Sequence, residues 1–218
     1  MSFPLDAVVG SVDELRRHYR QPSALVQGKK RSTLDEASTA LVRACPFVLL
    51  STADDQGHCD VSPRGGPPGF VRVLDDAHVA LPDLNGNNLI DSLENIVVNP
   101  QAALLCVIPG RDETLRIDGR AWVSASSTIL EQWDGELRRP TTAVVIEIAN
   151  LFVHCAKAFR RGRVWQPESW DELVAPDGVE ILKCQLSLGS DVVSLRTAFE
   201  EGYAEELAFD LPEPDDAS

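Results

Sequence analysis

The residues with the clearest chemical potential lie between Cys59 and Pro100, in CDVSPRGGPPGFVRVLDDAHVALPDLNGNNLIDSLENIVVNP. Ser62-Pro63-Arg64-Gly65 ends a short polar strand, and Gly86-Asn87-Asn88 opens a helix. A guanidinium able to grip two oxygens at once, a hydroxyl and two carboxamides are the groups that bind a phosphate. A helix beginning near Asn88 would add unpaired backbone N–H groups and the positive end of its dipole. Lys157, at the end of a later strand, could supply further positive charge. Together these make an anion-binding corner.

Each residue also has a plainer reading. Arg64 could pair with a local Asp at the surface, the two Asn residues could serve only as a cap and a turn, and the polar face of Asp60 and Ser62 could be solvated. Lys157, Arg160, Arg161 and Arg163 could be a solvated basic loop in an acidic protein. His154 and Cys155 are neighbours on a strand, so they point to opposite faces and do not form a nucleophile and base pair. Gly65 to Gly69 lacks both the Lys-Ser/Thr of a P-loop and the strand-to-helix setting of a dinucleotide fingerprint. His18, His58 and His78 show no ligand spacing, and no metal site is expected.

The chain has 218 residues, 44% of them hydrophobic and 25% charged, enough for one domain with a proper core. No apolar run reaches the ~18 residues of a membrane span, and the first residues lack the pattern of a secretory signal, so a cytoplasmic protein without membrane contact is expected. The formal net charge is −14, but residues 200–218 hold eight acids and no base. The rest carries 26 acids against 20 bases, a charge of −6, which argues against nucleic acid as a partner. Five widely spaced cysteines without a C-x-x-C pair read mostly as small buried apolar residues in a reducing compartment.

The positioning elements follow from periodicity. Ser11-x-x-Glu14 and Thr33-x-x-Glu36 predict two capped helices within 11–44, the second packing on a sheet through Leu34, Ala37, Leu41 and Val42. PFVLLST and HCDVSPRG predict a hairpin, AHVALP a third strand, and NLIDSLENIVV a helix of about ten residues stopped by Asn99-Pro100. AALLCVI and TLRIDGRAWVSA predict two more strands, TILEQW a short helix, and AVVIEIANLFVHCAKAF a long strand bent near Asn150. An arm over 161–210 contains the apolar VEILKCQLSL and the helical SLRTAFEEGYAEEL. Residues 211–218 are expected to be a solvated acidic tail without fixed structure. Helices inserted between hairpin-spaced strands favour a mainly β (α+β), antiparallel barrel with peripheral helices, in a single domain over 1–210 with the barrel at about 46–160.

The order of these elements resembles the pyridoxamine 5'-phosphate oxidase-like, FMN-binding split barrels, and a bacterial FMN-dependent branch of them most closely. DVSPRGGPPGF, GNNLIDSLENIVVNP, ETLRIDGRA and HCAKA carry the resemblance, over roughly Pro46 to Trp165. It implies a homodimer with FMN in an interfacial groove, its phosphate held by one protomer and the cofactor gripped by Ser62, Arg64, Asp83, Asn87 and Asn88. The true oxidases often place Arg or Lys where this chain has Asn87 and Asn88. They also use a C-terminal Arg/His pattern that this chain lacks, so pyridoxamine phosphate is not expected as the substrate. The expected function is FMN-dependent oxidation or reduction of a small molecule; the alternative is a non-catalytic flavin- or haem-binding module.

Overall fold

The computed structural model describes residues 8–172 and 174–212. The chain divides into two compact units, Met1–Lys30 and Arg31–Ser218. In the first, helix α1 (Val12–Arg17) is capped by Ser11, whose hydroxyl accepts the Glu14 N–H at 3.1 Å. Ser23 caps the short α2 (Ala24–Gly28), a turn of helix inside the link that the sequence presents as polar and basic.

The second unit is built on α3 (Glu36–Ala44) and seven strands: β1 (Phe47–Ala53), β2 (Cys59–Gly65), β3 (Arg72–Val73), β4 (His78–Pro82), β5 (Gln101–Val107), β6 (Thr114–Ser124) and β7 (Ala143–His154). Helix α4 (Asp91–Val98) lies between β4 and β5, and α5 (Ser127–Leu130) between β6 and β7. After β7 come α6 (Lys157–Arg161), α7 (Gly178–Leu186) and α8 (Val192–Phe209). The strands form one sheet in the order β2-β1-β5-β6-β7-β4-β3 with every pairing antiparallel, an α+β split barrel. The outermost strands are β2, which contains Pro63, and the two-residue β3.

Alternation decides what the sheet encloses. Val48, Leu50, Leu104, Cys106, Leu115, Ile117, Val144 and Ile146 turn inward and are buried with Phe70 and Trp133. The Trp133 indole N–H donates to the buried Phe70 carbonyl at 2.8 Å, fixing the segment between β2 and β3. The bend expected near Asn150 is a β-bulge: Asp118 faces Asn150 and Gly119 faces Ile148, leaving Ala149 unmatched. A Cβ on Gly119 would stand 1.9 Å from the Glu147 carbonyl oxygen, so only glycine fits there.

Three expectations need correction. α3 starts after Asp35, whose side chain accepts the Ser38 N–H at 2.8 Å while Ser38 Oγ accepts the Asp35 N–H, so Thr33 is not its cap. α4 starts at Asp91, three residues past Asn88, because Asn88 and Ile90 take positive φ values of 59° and 52° and the chain is still turning there. Only Cys45 and Cys106 are buried; Cys59, Cys155 and Cys184 are exposed, and none of the five forms a disulfide. Among the described residues no helix is long and apolar enough to cross a membrane, and no group of His, Cys, Asp and Glu is placed to hold a metal ion. Residues 213–218 of the expected acidic tail lie outside the described residues.

Candidate functional site: a cleft beside the edge strand

Ser62 and Arg64, two apart on β2, share the inward face with Asp60, opposite Leu50, Val48 and Thr52 of β1. At this sheet edge the inward face is polar, and α4 covers it with Ser92 and Asn95. Side-chain hydrogen bonds run through all of them. Arg64 Nε donates to Ser62 Oγ at 3.3 Å, Ser62 and Ser92 hydroxyls meet at 3.1 Å, and Ser92 donates to Asp60 Oδ2 at 3.1 Å. From the other side Asn95 Nδ2 donates to Thr52 Oγ1 at 3.1 Å, and Thr52 donates to Asp60 Oδ1.

Donor directions are fixed by counting protons. The single Ser92 proton goes to Asp60, so Ser62 must donate to Ser92, and every bond points toward the Asp60 carboxylate. Ser62 therefore has no proton left for a ligand in this arrangement and acts by holding Arg64.

The Arg64 guanidinium is engaged on two of its nitrogens. Nε is on Ser62 and Nη1 lies 3.3 Å from Asp83 Oδ1, just past the end of β4. Nη2 has no partner among the described residues. Burial raises the Asp83 carboxyl above its ordinary range, and the neighbouring Arg64 charge offsets part of that rise. Both side chains keep about a quarter of their surface exposed, at 25% each.

Arg64 opens onto a cleft of about 530 Å³ walled by Ser62, Pro63, Gly65, Phe70, Pro82, Leu84, Asn85, Gly86, Asn87, Leu207 and Asp210. Pocket residues of this kind, apolar walls with a few convergent polar groups, suit a small organic ligand. Asn87 lies in the wall, with its side-chain oxygen accepting the Leu89 N–H at 3.1 Å in an Asx turn. An adjoining cavity of about 150 Å³ shares Leu84, Asn85, Gly86 and Asp210 with the cleft and adds Asp83, Asn88, Arg138 and Arg139.

The fold thus brings Ser62, Arg64 and Asn87 to one cleft, sets Asp83 and Asn88 in the adjoining cavity, and places Lys157 elsewhere. Lys157 begins α6 beyond the end of β7 and lines a separate cavity of about 350 Å³ with Leu105, Thr114, His154, Cys155 and Arg161. α4 begins three residues past Asn88, so both Asn residues precede the helix rather than open it, and the Asn85 N–H beside them is already donated, to Asp210 Oδ1 at 3.1 Å. Sequence reasoning missed Thr52, Ser92, Asn95, Leu207 and Asp210. Ser92 and Asn95 stand one turn apart on α4, a polar pair beside its apolar stripe, and that spacing was a readable signal. Nothing local marks Asp210, which arrives from 125 positions away.

A family model, pyridoxamine 5'-phosphate oxidase, matches residues 34–155, which include every strand. Among curated proteins, the trehalose-phosphate phosphatase of Mycobacterium ulcerans is 27% identical over 162 residues, covering 67% of this chain and 38% of that protein, and that of Mycobacterium marinum gives the same figures. The chain therefore spans well under half the length of these curated relatives. Of solved structures, HupZ from Group A Streptococcus overlays with a TM-score of 0.46 at 16% identity, covering 55% of this chain and 93% of that one. A putative pyridoxamine 5'-phosphate oxidase from Lactobacillus delbrueckii gives 0.45 at 23% identity, covering 57% and 98%.

Proposed function

The chain belongs to the pyridoxamine 5'-phosphate oxidase family, and on that premise we propose that it is a flavin-dependent oxidoreductase of a small molecule, holding FMN by its phosphate in the Arg64 cleft. The observation that carries this reading is the Arg64 guanidinium, held by Ser62 and Asp83 in the lining of the cleft with no described partner on Nη2. The donor set fits a phosphate: one charge-assisted nitrogen, the Asn87 carboxamide and the backbone N–H groups of a glycine-containing turn. Apolar walls from Pro63, Phe70, Pro82 and Leu84 fit the rest of the molecule.

When bound, FMN would supply hydride transfer at its ring. The protein's part is positional. Arg64 neutralises phosphate charge, the chain of hydrogen bonds ending on Asp60 fixes the Arg64 rotamer, and Phe70, pinned through Trp133, keeps one wall dry. Among the described residues lining this cleft there is no His, Cys, Met or Tyr, so it offers a haem iron no axial ligand.

The outward face of the sheet supports a homodimer. Register places Leu49, Leu105, Arg116, Phe152 and Trp122 on that face; Arg116 lies over the Phe152 ring at 4.5 Å and Arg120 over Trp122 at 5.4 Å. Aromatic residues and Arg are the side chains enriched at protein interfaces. Titration with FMN, FAD and riboflavin tests the site: FMN should bind at least ~10-fold tighter than riboflavin, the worth of one charge-assisted bond, and equal affinities would sink the phosphate reading. Light scattering on Trp122→Glu, expected to give monomers, tests the face.

A further inference from the structure

The cleft beside Arg64 contains an acid from the chain itself. Asp210, which caps the C-terminal end of α8, is held by two N–H groups from different loops: Asn85 N–H donates to its Oδ1 at 3.1 Å and Arg138 N–H to its carbonyl at 2.9 Å. Next to it, the Arg138 guanidinium lies 3.8 Å from the Phe209 ring centroid. Leu207 and Asp210 help wall the large cleft, and Phe209 and Asp210 the small one.

The seat and its occupant are mismatched in permanence. A carboxylate on the backbone N–H of Asn85, beside Gly86 and Asn87, imitates part of a phosphate's contacts and stands where such a ligand would need the same donors. Yet α8 buries none of its own residues, and Leu207 is 68% and Phe209 51% exposed. Among the described residues, lifting its last turn breaks the bonds from Asn85 and Arg138 and the Arg138–Phe209 contact without exposing buried residues of α8, which is the profile of a segment that opens locally.

We infer that the end of α8 is a displaceable latch, in which Asp210 occupies the anion seat at Asn85 until an anionic ligand replaces it. The inference rests on the reading of the cleft as an FMN site only for the identity of that ligand. A site available for a fraction f of the time binds with its intrinsic Kd divided by f, so a latch closed nine parts in ten weakens binding ten-fold, equivalent to about 1.4 kcal/mol.

The test uses the full chain and its Asp210→Ala and Phe209→Ala variants. FMN is titrated into each, and hydrogen exchange of residues 207–211 in the unsubstituted protein is followed with FMN and, separately, with inorganic phosphate. The latch requires FMN to bind the variants about five- to ten-fold tighter, and either anion to speed exchange in 207–211. Weaker or unchanged FMN binding in both variants, with slowed or unchanged exchange, would make α8 a fixed wall and overturn the inference. If no protein binds FMN, the flavin reading fails by itself, and phosphate decides the latch: faster exchange sustains it and unchanged exchange removes it.

Discussion

Arg64→Ala should reveal how the pair with Asp83 divides its work between folding and binding. Viewed as a surface residue in a Pro/Gly corner, Arg64 would cost almost nothing to remove. The structure argues otherwise, since its loss leaves the partly buried Asp83 carboxyl without its cation and Ser62 without the donor on its oxygen. Hydrogen bonds to charged groups contribute about 1.5–3 kcal/mol, and contacts as long as 3.3 Å belong at the low end, so a loss of about 1–2 kcal/mol is expected near neutral pH. The pH dependence follows from Asp83. Its folded pKa is already raised by burial, so the neutral form stabilises the fold at low pH and that contribution disappears as pH rises through the folded value. Removing Arg64 raises that value further. The difference between variant and parent should therefore be small below Asp83's titration, grow as pH climbs through it, and level off above. Urea denaturation at a series of pH values measures this, with Asp83→Asn and Arg64→Ala/Asp83→Asn completing the cycle: the double variant should recover most of the loss and flatten the profile. FMN affinity should fall roughly ten-fold in Arg64→Ala while riboflavin affinity hardly changes. A pH-independent stability loss, not relieved by Asp83→Asn, would refute the assignment of Asp83 as the group that Arg64 neutralises.

Two core substitutions should separate rigid from adaptable parts of the barrel. Gly119→Ala forces a Cβ against the Glu147 carbonyl and the Ala149 N–H, which are backbone atoms that cannot swing away, so denaturation should report a loss at or beyond the ~1–3 kcal/mol usual for overpacking. Trp133→Phe keeps an aromatic ring but orphans the buried Phe70 carbonyl; a loss of about 1–3 kcal/mol is expected, read as a lower Tm, together with weaker flavin binding through the loosened Phe70 wall.

Much of the barrel was legible because its strands alternate: β1, β2, β4, β5, β6 and β7 all follow from apolar period or β-branched content, and the bend in β7 from its length. The two-residue β3 carries too little pattern to be seen. The start of α4 was misread because Leu89, Leu93, Ile96 and Val97 share a helical face that local turn geometry overrides, with even the β-branched Ile90 at positive φ. In the site, Ser62, Arg64 and Asn87 could be grouped because strand and turn chemistry are local. Lys157 was drawn in by charge alone, and α6 carries it to another face. Nor can composition say that Asp210, among the eight acids of residues 200–218, meets a backbone N–H across the molecule.

The edge position of β2 has a bearing on how copies of this protein meet in crowded solution. An uncovered strand is a template on which foreign strands can grow, and polymerisation by strand addition is the usual hazard of an open sheet. One end of this sheet is too short to serve as a template, and the other has at its centre Pro63, a residue with no N–H to offer an incoming chain. Ser62 and Arg64, which line the cleft proposed for the flavin, flank that interruption. On the proposed reading of the cleft, recognition by Ser62 and Arg64 and edge protection by Pro63 share one strand, and a redesign that regularised the strand to strengthen the site would reopen the edge to self-assembly.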